Sequence, residues 1–124
     1  MDKELIYKDL SESIIGAAMR VLNVLRPGLD EKLYENALVI ELRKRGHRVD
    51  QQHEYLVYYD EQLIGKMKPD VIVDRLVIVD TKVVTSFIDT HVAQVIGYLN
   101  ITNLKLVLLL NFKRVKLEWK RIVA

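Results

Sequence analysis

The 124-residue chain has no cysteine. That excludes a disulfide scaffold, a thiol nucleophile and thiolate metal ligation, so any metal must sit on oxygen or imidazole. Long apolar runs are missing too. The longest, Leu106 to Leu110, falls far short of the ~20 residues that a membrane span needs. Met1-Asp2-Lys3-Glu4 carries mixed charge ahead of a short apolar stretch, which does not read as a signal peptide, and a cytoplasmic location is expected. Neither sign of charge dominates: 19 basic against 17 acidic side chains leave a net charge of +2. That is too mild to imply a nucleic-acid partner by itself, and an ordinary solvated surface accounts for it. His47, His53 and His91 show no metal-ligand spacing, HExxH is absent, Gly16 and Gly28 make no phosphate-binding loop, and no serine stands in a nucleophile elbow.

What is present fits a globular chain. Half of the residues are hydrophobic and 29% are charged, with no repeat, low-complexity tract or linker, so 1–124 is expected to form a single domain. The spacing of Ile14, Ala18, Val21 and Leu25 predicts a helix from about Glu12 to Leu25, capped by Ser11 and broken at Pro27-Gly28. A second helix is expected from about Asp30 to Arg45, stopped by Gly46 and buried through Leu33, Ala37, Leu38, Ile40 and Leu42. The period then changes. Tyr55 to Tyr59, Asp70 to Val73 and Val77 to Val84 read as a strand meander. A third helix should run from Asp89 or Thr90 to about Ile101, with Val92, Val95, Ile96 and Leu99 on the core. Leu104 to Leu110 reads as a strand buried on both faces, and Lys116 to Val123 as a last, more exposed one. The expected order is α-α-β-β-β-α-β-β, an α/β (mixed α+β) fold with a central mixed sheet flanked by helices.

The chemistry concentrates in Val77–Val84, VIVDTKVV. Side chains alternate along a strand, so Asp80 and Lys82 share one side while Thr81 points away. Both interrupt a run that should be buried, and a buried carboxylate is costly unless it is paired or binds a metal. Asp70 opens the preceding strand. If Asp74-Arg75-Leu76 is a three-residue turn, Val73 faces Val77 and Asp70 faces Asp80. Two carboxylates so placed repel, and a hard divalent cation such as Mg²⁺ or Mn²⁺ would relieve them. From charge alone, an ion pair to Lys82 explains the arrangement as well as a metal does. Glu31, Tyr34 and Glu35 share one helix face, and His91, Gln94 and Tyr98 share a stripe off the apolar face of the third helix. Basic clusters at Arg43/Lys44/Arg45/Arg48 and at Lys113/Arg114/Lys116 with Lys120/Arg121 could follow a phosphate backbone, or could simply be solvated.

Pro69-Asp70, followed about ten residues later by Asp80-Thr81-Lys82, resembles the signature of the PD-(D/E)XK nucleases. Gly28-Leu29-Asp30-Glu31-Lys32-Leu33-Tyr34 resembles the motif of the GxxExxY proteins, a family assigned to that superfamily. IIGAAMRVLNVLRPG, YENALVIELRKRG, HVAQVIGYLNIT and LVLLLNF extend the likeness over most of the chain, from Ile14 to Val123. The resemblance implies a restriction-endonuclease-like core and metal-dependent phosphodiester hydrolysis, on DNA more than RNA. It carries Glu31, Asp70, Asp80, Lys82, Gln94 and Tyr98 into catalytic roles. Asp70 and Asp80 would hold one or two Mg²⁺ (or Mn²⁺) ions, with Glu31 directly or through water and with the Thr81 carbonyl. Glu35 is the alternative helix ligand. The implied partner is nucleic acid, with a homodimer, a partner protein or DNA shape supplying specificity. A silent nucleic-acid-binding or protein-interaction module on the same fold is the alternative. Two features depart from the family pattern: Asp80 stands where glutamate is more usual, and the Asp60-Glu61 turn lacks glycine.

Overall fold

The computed structural model describes residues 6–124; the N-terminal residues read above for a leader lie outside them. Helix α1 is Lys8–Leu25 and α2 is Glu31–Lys44. Strands β1 (Val49–Gln51), β2 (Tyr55–Tyr59), β3 (Gln62–Met67), β4 (Val71–Val73) and β5 (Val77–Lys82) follow, then α3 (Asp89–Thr102), β6 (Leu106–Asn111) and β7 (Glu118–Val123). The expected order holds, with β1 and β3 added.

A five-stranded sheet runs in the order β1-β4-β5-β6-β7. All neighbours are antiparallel except β5 and β6, which are parallel and are joined through α3, as a parallel pair requires a long crossover. β6 is buried along its whole length, which explains its unbroken apolar sequence. One face packs Val71, Val73, Val77, Val79, Leu106, Leu108 and Leu110 against Ile14, Ala18, Val21, Leu38 and Leu42 of α1 and α2. The opposite face packs Ile72, Ile78, Val107 and Leu109 against Val95 and Leu99 of α3. The strand alternation thus sorts neighbouring residues into two separate cores.

Several expectations need correction. α1 begins before Glu12, and Ser11 is a buried helical residue whose hydroxyl accepts from Arg121 Nη1 at 2.7 Å. Asp30 occupies the N-cap of α2 without a side-chain cap bond. Leu33 and Ile40 lie outside the core, 49% and 63% exposed, and Ile96 of α3 is likewise exposed. Their helices touch the sheet through a narrower stripe than their apolar content implies. β2 does not join the meander either. It pairs with β3 in a separate two-stranded sheet, and the short β1 takes the place beside β4. Both hairpin turns, Asp60-Glu61 and Asp74-Arg75, hold two consecutive residues at left-handed angles without glycine. That conformation costs L-residues energy but matches the twist of antiparallel strands.

Candidate active site

The β4–β5 register is the one the three-residue turn predicts: Val73 pairs with Val77 and Val71 with Val79. Continued one step, it sets Asp70 beside Asp80. Leu76 N–H closes the turn on the Val73 carbonyl at 2.9 Å, and the Arg48 N–H and His47 ring bond the Asp74 carboxylate, each at 2.8 Å. Nothing in the sequence ties His47 to Asp74; only the β1–β4 pairing does.

Asp80 is 2% exposed, on a strand that opens with the core residues Val77, Ile78 and Val79. Lys82 Nζ lies 3.1 Å from Asp80 Oδ2, yet among the described residues that oxygen has no hydrogen-bond partner. The two facts agree if the contact is coulombic and poorly directed. Asp70 Oδ2 accepts from the Thr81 N–H at 3.2 Å and from the Thr81 hydroxyl at 3.4 Å, so Thr81 is turned into the site's framework and not away from it. Burial, the Asp80 charge and hydrogen bonding with Asp80 push the Asp70 carboxyl up to about 7, with the Thr81 N–H opposing. Two carboxyls that cannot both ionise freely lie side by side.

Lys82 is held from the other side by Gln94, whose Oε1 accepts from Nζ at 3.4 Å. Gln94 Nε2 in turn donates to the Tyr98 hydroxyl at 3.0 Å. Burial, then Asp80 and Asp70, push the Tyr98 phenol up to about 12, so it stays protonated. The i, i+4 spacing brings Gln94 and Tyr98 together, and the crossover sets α3 on the face that Asp80 and Lys82 share. Beyond Lys82, the buried Asn111 fixes the chain: it donates to the Val84 carbonyl at 2.8 Å and accepts the Val84 N–H at 3.1 Å. Sequence reasoning missed Asn111. Its position ending a six-residue apolar strand was the available signal.

Both candidate glutamates of α2 face the site and do different things. Glu35 is 2% exposed and accepts from Lys32 Nζ at 2.8 Å, Gln51 Nε2 at 2.6 Å and Gln52 Nε2 at 3.2 Å. Gln52 also reaches Asp70 Oδ1 at 3.4 Å and donates its N–H to the Asp70 carbonyl. Sequence reasoning missed Gln51 and Gln52 as well. Glu31 as a residue is exposed, but its carboxyl points inward: desolvation raises its pKa, Lys82 lowers it, Asp70 and Glu35 raise it, and a bond from the Val83 N–H lowers it. Tyr34 lies elsewhere. It is buried, stacks on Phe112 at 4.9 Å, donates to the Arg26 carbonyl at 2.6 Å and accepts from the Leu29 N–H. It holds the α1–α2 connection, so this tyrosine is architectural.

The basic clusters are partly committed. Arg45 bonds Glu41, Arg43 the Val49 carbonyl, Arg114 Glu118 and Arg121 Ser11. Among the described residues no three acidic or imidazole side chains converge as a metal cage, and no helix is long and apolar enough to cross a membrane.

What converges is a carboxyl pair on adjacent antiparallel strands, a lysine two residues past the second acid, and a glutamine and tyrosine from the crossover helix. No curated protein and no solved structure gives a significant match to the chain. A family profile does, over residues 8–122, a span that takes in every element of this arrangement, and by it the chain belongs to the PD-(D/E)XK nuclease superfamily.

Proposed function

We propose that this protein is a divalent-metal-dependent nuclease that hydrolyses phosphodiester bonds, with DNA the favoured substrate. The observation that carries the reading is Asp80 Oδ2, a buried carboxylate oxygen without a hydrogen-bond partner among the described residues, beside a second carboxyl that burial and the Asp80 charge push up to about 7. Buried polar atoms are nearly always bonded, and a hard cation suits an oxygen pair that lacks donors. Asp70 and Asp80 would hold Mg²⁺ or Mn²⁺, with the Thr81 carbonyl, and Glu31 directly or through water. Two protein carboxylates are enough, because Mg²⁺ keeps several waters and also takes substrate oxygens. When bound, the ion supplies Lewis-acid stabilisation of the scissile phosphate and activation of a water.

The chain's own groups do the rest. The Lys82 ammonium, held near Asp80 by charge and by a hydrogen bond to Gln94, is preorganised toward charge that develops on the phosphate. The Tyr98 hydroxyl accepts from Gln94, which leaves its proton for a phosphate oxygen. Glu35, bonded through Gln52 to Asp70, fixes the orientation of that carboxyl. The test is incubation of purified protein with single-stranded, duplex and branched DNA and with RNA, in Mg²⁺, Mn²⁺ or EDTA. Cleavage that EDTA abolishes is expected. Binding without cleavage under every metal condition would make this a silent binding module instead.

A further inference from the structure

We propose that the cavity between β1, the root of β2 and the Asp74-Arg75 turn is a binding subsite for a nucleic-acid backbone phosphate, with Arg75 and Arg48 as its cationic contacts. The inference rests on the nuclease reading above and extends it to where the substrate lies. The cavity holds about 320 Å³ and is lined by Arg48, Asp50, His53, Tyr55, Ile72, Arg75 and Leu104. Its lining names no member of the catalytic set. Asp50 pairs with Ile72 across β1 and β4, and Ile72 lies two residues from Asp70. Alternation therefore puts this cavity on the sheet face that carries the carboxyls. From Asp70 to the turn at Asp74 is four residues of extended chain, about 13 Å at ~3.3 Å each. A duplex strand covers that distance in about four nucleotides at ~3.4 Å per step.

Arg75 is the pointed observation. It sits at φ 58, next to Asp74 at φ 53, where glycine would be free of strain and a long side chain is not. The Asp74 bonds to His47 and the Arg48 N–H hold the turn in that form. Arg75 itself is exposed and makes no hydrogen bond or ion pair among the described residues. The left-handed pair is what a tight hairpin turn requires, as at Asp60-Glu61; it is the unpartnered guanidinium at the rim of the cavity that points to a ligand. The ligand must be an anion. Among the described residues the Arg48 guanidinium is engaged only by Asp50, at 3.5 Å, a loose contact that leaves donors for a phosphate. His53 and the Tyr55 ring complete the wall, set edge to face at 5.1 Å.

The experiment measures affinity for a fluorescent duplex and a single-stranded oligonucleotide against salt, in EDTA, for wild type, Arg75→Gly, Arg48→Ala and the distant Arg114→Ala, with melting of each. Arg75→Gly should melt no lower than wild type, yet bind three- to tenfold more weakly, with a salt slope shallower by about one. Arg48→Ala should weaken binding similarly, and Arg114→Ala should leave it unchanged. Equal loss in Arg114→Ala, or wild-type affinity in Arg75→Gly, overturns the subsite while the nuclease reading stands. Wild type that neither binds nor cuts any nucleic acid overturns both. A mononucleotide whose binding falls in Arg75→Gly while oligonucleotide binding does not would assign the cavity to a free phosphate and overturn the backbone role.

Discussion

Glu35 and Asp80 are both 2% exposed, and their surroundings could hardly differ more. Glu35 is ringed by Lys32, Gln51 and Gln52, each within hydrogen-bond distance. Asp80 has one misdirected lysine contact and an oxygen with no donor among the described residues. A buried carboxylate surrounded by donors is finished as structure. One left short of them weakens the fold that carries it. Depth alone does not separate these two acids; the count of donors does.

The sharpest way to break this comparison is Lys82→Ala. As a positioned electrostatic group, Lys82 should take about a hundredfold or more of the cleavage rate with it, while fold and nucleic-acid affinity persist. As mere ion-pair partner of Asp80, its loss would cost on the order of 3–5 kcal/mol and the variant would melt early. A stable Lys82→Ala that cuts at the wild-type rate removes the mechanism. Metal linkage comes next. Mn²⁺ at about a hundred times its Kd should add ~2.7 kcal/mol to wild-type stability and next to nothing to Asp80→Asn. In EDTA, Asp80→Asn should melt above wild type, since repulsion with Asp70 is relieved. An unchanged wild-type Tm at millimolar Mn²⁺ counts against the site.

On the other side of the comparison, Glu35→Ala strips Gln51, Gln52 and Lys32 of their shared acceptor. Leaving those donors unpaired should cost about 1–3 kcal/mol, measurable by urea unfolding, with or without metal. A neutral Glu35→Ala would show the ring of amides to be dispensable. The pH dependence is smaller. Asp70 holds its proton up to about 7 in the fold but releases it near 3.9 when unfolded. Between those values the native state binds more protons, so this group's contribution to stability falls as pH rises, then levels above 7. Asp70→Asn should flatten the slope in EDTA, and a Tm that climbs through that window in wild type would contradict the carboxyl pair. The smallest effect belongs to Glu61→Gly at φ 62. Relief of left-handed strain less the entropy cost of glycine leaves a gain of about 0.5 kcal/mol.

Much of the candidate site was legible because it depends on local geometry. Period-two alternation set Asp80 and Lys82 on one face, three turn residues set the register that brings Asp70 alongside, and period 3.6 joined Gln94 to Tyr98. Such relations follow from the backbone whatever else the chain does. The two-sided burial of β6 is likewise legible in its unbroken apolar run, and with it the sheet between two helical layers.

Only the tertiary structure decided which strand lies beside β4, because an edge is filled by whichever segment the packing brings there, and β1 fits where β2 was expected. That choice put Gln51 and Gln52 around Glu35, tied His47 and Arg48 to Asp74, and opened the cavity under Arg75. It turned Ser11 from an expected helix cap into the buried acceptor for Arg121 from the far end of the chain. It left Ile40 and Ile96 in solvent, because a helix packed on a sheet buries one stripe and its apolar residues do not say how wide. Hydrogen-bond partners dozens of residues apart carry no local period, so the donors of Glu35 and the missing donor of Asp80 become visible only once the sheet is assembled.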